Sequence, residues 1–280
     1  MNRREALQTL IVSPLLATTL AGRNARAGSG ARWVSIGGGV TETIFALDAG
    51  DRLVGTDTSS TWPEEAQALP QVGYQHTLTP EGILALRPDV LVHDGSAGPP
   101  TTLERVRKAG VDEQRLDGRR SLAGFEARAT RLGEMLGRAE KARELIASVR
   151  GELEAAERRR RNLPRTPRVA LVMTQGEGGA MVAGRDTKAH ALLELAGAEN
   201  IFADSHESYR PVSAESLLQQ RPDGIIVTGR QAGQFRGRLA RVPVFEADTL
   251  FLLGFGPRLG DAVSETVSFC ARALGGEATT

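Results

Sequence analysis

The stretch TPEGILALRPDVLV at residues 79–92 returns at residues 213–226 as SAESLLQQRPDGII. Thr79 and Ser213 are good helix caps, because their hydroxyls accept from the free N–H groups of a first turn. Pro80 suits the first helical position, and Glu81 and Glu215 sit where the helix dipole favours negative charge. Ile83-Leu84 and Leu217-Leu218 supply a face to bury. Pro88 and Pro222 stop each helix and push the preceding arginine out of the helical region. An apolar strand follows at once, Val90 to Val92 and Gly224 to Val227.

The likeness extends upstream. Ala46 to Val54 parallels Glu194 to Phe202, each reading as a helix end, a glycine-containing turn and a short strand. Each half also opens on an apolar strand, Trp33 to Ile36 and Val169 to Met173. Strands alternating with helices at this spacing predict two related α/β lobes with parallel sheets. Between them, Ser121 to Leu163 is proline-free and rich in Ala, Glu, Arg and Leu. Leu132, Met135 and Leu136, then Ala142, Leu145, Ile146 and Val149, recur at helical spacing and predict one long connecting helix, with Gly133 and Gly137 as break points. The expected organisation is a leader at 1–27, a first lobe at 28–120, the connector at 121–163 and a second lobe at 164–280.

Composition narrows the function. With 280 residues and 40% apolar content the chain can fill two modest cores, and its net charge of +1 gives no case for nucleic acid. A single cysteine, Cys270, excludes an intrachain disulfide and a cysteine-rich metal site, and it reads as a small buried hydrophobe. Arg3 and Arg4, the apolar run Leu10 to Ala21 and Ala25-Arg26-Ala27 have the form of a secretory leader cleaved near Ala27, so the expected compartment is the periplasm. The Gly37-Gly38-Gly39 loop lacks the third glycine of a dinucleotide fingerprint, because Glu42 stands there, and it lacks the Gly-Lys-Ser/Thr of a P-loop. No hydrolase or zincin pattern is present either.

The chain has two tyrosines, Tyr74 and Tyr209, placed seven and six residues before Glu81 and Glu215. Both are expected on loops entering equivalent helices and facing the gap between lobes, with His76 and His206 beside them. Phenolate is a hard donor suited to ferric iron, and imidazole is a further iron ligand. Read alone, these residues fit surface or cleft-lining positions as well as ligation. His93 ends a strand, and His190 sits on a helix beginning near Thr187.

Five stretches taken together carry a resemblance: Val34 to Glu42, Val72 to Ile83, Ala183 to Asp186, Tyr209 to Glu215 and Leu253 to Arg258. In order they resemble the periplasmic haem-binding proteins of bacterial haem ABC importers, which are class III substrate-binding proteins, over roughly Arg32 to Leu274. The resemblance implies two Rossmann-like lobes on a backbone helix and a non-enzymatic carrier of ferric haem b, one or two per protein, in the interlobe cleft. It implies Tyr74 as the axial ligand of the haem iron and Arg230 as the partner of its phenol oxygen. His76, Tyr209 and Trp62 are further expected to contact the haem. Glu81 and Glu215 match the lobe-tip glutamates that dock on an inner-membrane ABC permease with its ATPase, and an outer-membrane haem receptor system is an expected upstream partner. The chain departs from the family in having His76 where a basic residue is usual and Gln175 where some members carry a second histidine ligand. The Gly229 to Val242 stretch is also shorter. Alternatives are cobalamin or a ferric siderophore in the same fold, an exported enzyme acting on haem or a metal chelate, and a direct metal-ion binder using His76, His206 and carboxylates.

Overall fold

The computed structural model describes residues 30–175, 179–229, 233, 237–239 and 242–275. The expected leader at 1–27 and Arg230 lie outside them. The first lobe is built on four parallel strands, β1 (Trp33–Ile36), β2 (Leu53–Thr56), β3 (Val90–His93) and β4 (Asp112–Arg115), in the order β2-β1-β3-β4. Its helices are α1 (Gly38–Ala46), α2 (Glu64–Gln67), α3 (Pro80–Leu84) and α4 (Pro100–Lys108). Successive side chains point to opposite faces of the sheet. Trp33, Val90 and Val92 pack with Val40 and Ile44 of α1 and with Leu47 just after it, while Val34, Ile36 and Leu91 pack with Ile83 of α3 and Leu103 and Val106 of α4. A sheet covered on both faces needs nearly unbroken apolar strands, which the central strands β1 and β3 supply, while the edge strand β4 is polar.

The connector is two helices, α5 (Leu122–Leu136) and α6 (Ala139–Arg160), separated at Gly137, whose left-handed φ of 69° ends the first. Ser121 caps α5 by accepting from the Gly124 amide. A Cβ on Gly133 would lie 2.6 Å from that of Ala142, and Arg150 pairs with Glu126, so α5 and α6 run antiparallel as a hairpin. The long backbone helix is α6, 22 residues or about 33 Å. Phe125, Ala129, Val149 and Ala156 enter the second lobe's core, Leu132 and Ala142 enter the first lobe's, and Leu145 packs against both.

The second lobe carries β5 (Arg168–Gln175), β6 (Gly179–Ala183), β7 (Glu199–Asn200), β8 (Tyr209–Pro211), β9 (Gly224–Thr228) and β10 (Val244–Ala247). Its described helices are α7 (Lys188–Leu195), α8 (Ala214–Gln219), α9 (Thr249–Leu253) and α10 (Leu259–Ala273), with Cys270 buried in the core between α10 and the sheet. The parallel set β7-β5-β9-β10 repeats the first sheet strand for strand. The expectation of a wholly parallel second sheet is corrected by β6 and β8, which are antiparallel. The cause is the length of β5, eight residues against four in β1, whose far half pairs with β6 after its near half has paired with β7.

The internal repeat extends to single hydrogen bonds. Arg87 and Arg221, each before its proline, have φ of 48° and 50°. Asp89 accepts from the Arg32 amide at 2.9 Å, and Asp223 accepts from the Arg168 amide at 2.7 Å. The Arg32 and Arg168 side chains then donate to the last carbonyls after α3 and α8, at Leu86 and Arg87 and at Gln220 and Arg221. Each lobe thus ties the start of its first strand to the helix–strand corner through one Arg–Asp pair. Asp89→Ala and Asp223→Ala should each lower the unfolding free energy by about 1–3 kcal/mol. The two losses should add in the double variant, as read from urea denaturation, because the sites share no partner.

Candidate functional site

The strands of the first sheet all end on one edge, where open α/β sheets place their ligand crevice. Asp57, fully buried after β2, accepts from the Gly37 amide at 2.8 Å, the Ser59 amide at 3.0 Å and the Ser60 hydroxyl at 3.0 Å. The hydroxyls of Ser60, Thr41 and Ser35 continue this chain at 2.7 Å per link. Thr56 and Thr58 bond through their backbone to residues 70–73, and Gly98 bonds to Gln75 and Leu78. The segment from Pro70 to Leu78 is therefore pinned at both ends, and the Tyr74 side chain stands out from it. Tyr74 is 49% exposed, and the His76 ring meets it edge-on with centroids 5.2 Å apart.

From the second lobe Tyr209 faces the same gap. It lies on β8 rather than on the expected loop, because the antiparallel hairpin has no counterpart in the first lobe. The Thr187 hydroxyl and the Ala189 amide at the start of α7, together with Arg120 and the Tyr74 phenol, make up its electrostatic surroundings. Burial pushes this phenol up to about 12, against the pull of Arg120, Thr187 and Ala189. The pairing of two equivalent tyrosines is corrected accordingly: Tyr74 offers an accessible oxygen, and Tyr209 a half-buried neutral hydroxyl. His206 lies elsewhere, its ring near Phe202 and its Nε2 3.3 Å from the Val182 carbonyl. His93 is buried between Glu113 and the Gly95 amide. Among the described residues no group of three or more His, Cys, Asp or Glu side chains is arranged to hold a metal ion.

Polar contacts between the lobes lie beside these residues. Lys188 of α7 reaches Asp94, after β3, at 3.4 Å. Burial works to raise the Asp94 carboxyl, but Lys188, Ser96 and Arg128 overcome it and hold it below the usual range. Arg128, a buried cation on α5, donates to the carbonyls of Asp117, Arg119 and Phe255. Glu42 of α1 pairs with Arg258, whose guanidinium lies 5.2 Å from the Trp62 ring centroid. Trp62 is half-exposed and borders a surface cavity of about 320 Å³ with Phe45, Pro63, Pro257 and Arg258, a lining that includes neither tyrosine. A larger groove of about 810 Å³ between α6 and α7 contains none of the expected site residues. The sequence reading passed over Asp94, Lys188 and Arg128. The available clue was Arg128, a lone cation on the apolar face of a helix.

Glu81 and Glu215 are exposed in the first turns of α3 and α8, where Thr79 and Ser213 provide the expected caps, accepting at 3.3 and 3.1 Å. Among the described residues neither carboxylate has an ion-pair partner. The contrast between the tyrosines is measurable. In Tyr74→Phe, which leaves Tyr209 as the only tyrosine, the ultraviolet absorbance change on alkaline titration should centre near 12. A midpoint near 10, the ordinary value for tyrosine, would place that phenol in water.

The family model described as "Periplasmic binding protein" matches residues 34–247. The chain is similar to the structure of the periplasmic haem-binding protein RhuT from Roseiflexus sp. RS-1 in apo form, with 32% identity, a TM-score of 0.80, and coverage of 88% of this chain and 100% of that one. It is similar to a periplasmic haem-binding protein from Pseudomonas aeruginosa, with 32% identity, a TM-score of 0.77, and coverage of 88% and 94%. Among curated proteins it is 27% identical over 236 residues to the vitamin B12-binding protein of Pectobacterium atrosepticum, covering 81% of this chain and 84% of that protein. Twin α/β lobes on a helical backbone, with the family's pattern running through both, make this chain a member of the periplasmic binding protein family.

Proposed function

We propose that the protein carries ferric haem between its lobes, with the Tyr74 phenolate as axial ligand, and delivers it to an inner-membrane ABC permease. The observation that carries this reading is the placement of Tyr74: an accessible phenol on a loop pinned at both ends, at the strand-end edge that faces the second lobe. A phenolate oxygen is a hard anionic donor matched to ferric iron. The structural relatives above 30% identity that are described as haem-binding support the same ligand. His76, against the Tyr74 ring, is placed to approach the same metal or a haem carboxylate, and Tyr209 offers a neutral hydroxyl from the opposite wall. Trp62 is the remaining proposed wall residue, and Arg230 the proposed partner of the Tyr74 oxygen. The proposed role is carriage without chemical turnover, after export to the periplasm as two lobes, residues 28–120 and 164–280, joined by 121–163.

Cobalamin is the second reading, favoured by the vitamin B12-binding relative. A corrin brings no ferric iron for a phenolate to bind, so the two ligands make opposite demands on Tyr74. Tyr74→Ala should abolish the tyrosinate-to-iron absorption of the haem-loaded protein and weaken haem binding about tenfold or more, at least ~1.4 kcal/mol. An unchanged spectrum and affinity would remove Tyr74 from the metal. Cobalamin binding stronger than haem binding in a direct titration would favour the second reading.

Glu81 and Glu215, exposed at matching places on the two lobes, are the proposed contacts with basic residues of the permease. Glu81→Lys and Glu215→Lys should each slow ligand transfer to permease-containing vesicles while leaving haem affinity within about twofold, because both side chains are solvent-exposed and, among the described residues, have no ion-pair partner. Loss of haem binding instead would assign these carboxylates to the fold or pocket.

A further inference from the structure

The first turn of α1 and the turn between α9 and α10 meet backbone to backbone. A Cβ on Gly39 would lie 2.1 Å from the Gly254 carbonyl oxygen, and one on Gly256 would lie 2.9 Å from Glu42 Oε2. Within the triple glycine, Gly39 serves this close approach, and Gly38 leaves room for Leu250 of α9. Glu42 points into the seam from α1, its side chain 4% exposed, and pairs with Arg258 at the start of α10. The guanidinium is flanked by Trp62 of the first lobe and Phe251 of the second, 5.2 and 5.4 Å from the ring centroids. Among the described residues, the charged groups facing Glu42 are Arg258 and Asp248, the cap of α9, while Glu65 borders the adjoining cavity.

We propose that Glu42 and Arg258 form a proton-linked latch between the lobes, one that holds them more firmly when Glu42 is protonated than when it is ionised. The inference does not depend on which ligand the cleft carries. An ionised carboxylate in this seam has lost its hydration and has one guanidinium to replace it. Burial accordingly pushes Glu42 up to about 7, with Arg258 pulling it down and Asp248 pushing it further up. Once the seam parts, the carboxyl meets water and returns toward its ordinary value of 4.5. The state with the higher pKa gains as pH falls, so the latch tightens as pH drops through about 7 toward 4.5 and is loosest above that window. A neutral carboxyl still accepts a hydrogen bond from the guanidinium, so acidification removes the desolvation cost without removing the contact.

The test is amide hydrogen exchange on the ligand-free protein, corrected for the intrinsic pH dependence of exchange. Opening at residues 38–46 and 250–258 should grow by up to about tenfold per pH unit between about pH 5 and 7. Glu42→Gln, which mimics the protonated acid, should show acid-like protection at every pH and no such rise. A flat wild-type profile, or the same rise in folded Glu42→Gln, would overturn the latch. Carbon-13 titration of the wild-type glutamate carboxyls supplies a reading that needs no variant. One carboxyl titrating near 7 together with the exchange step supports the proposal, and its absence overturns it.

Discussion

A helical hairpin buried against two sheets at once sets the dimensions of everything else in this molecule. Residues from α5 and α6 enter both lobes' cores, and Leu145 touches both. Moving one lobe against the other would therefore expose apolar side chains at about 25 cal/mol per Å². The consequence is resistance to wide hinge opening. Polar contacts across that gap, Asp94 with Lys188 and Glu42 with Arg258, then fix the lobes' relative angle. A rigid planar ligand suits such a site, since its affinity rests on a cleft already shaped to receive it.

Much of this architecture was legible in the sequence. The recurring TPE…RPD and SAE…RPD stretches carry their own caps, stops and strands, and the structure places α3, α8, β3 and β9 where they predict. Local chemistry decides these elements, so local reading finds them. The antiparallel β6–β8 hairpin escaped because it is made by pairing between segments, and nothing within either strand fixes its partner. The fold-back of α5 on α6 was half visible: Gly133 and Gly137 marked break points, but only packing reveals that Gly133 lets α6 approach.

The candidate site was less legible, for a related reason. Tyr74 and Tyr209 look equivalent by spacing, yet one is half-exposed on a pinned loop and the other is a partly buried strand residue near the start of α7. Exposure and neighbouring dipoles decide whether a phenol ionises, and neither quantity is written in a spacing. The interlobe ion pairs join residues 94 to 216 positions apart, with no periodic pattern to betray them. Glu42 was visible only as a residue that spoils a phosphate loop, whereas its place is a seam where two backbones nearly touch.

Haem carriage through Tyr74 is the central claim, and the bound pigment tests it most directly. The exported protein would be purified from cells grown with both haemin and cobalamin supplied, and its pigment identified by absorption spectroscopy and mass spectrometry. The account predicts ferric protoporphyrin, with a Soret band and the charge-transfer absorption of a tyrosinate ligand. A corrin in the cleft, or a colourless protein despite excess haemin, would contradict it.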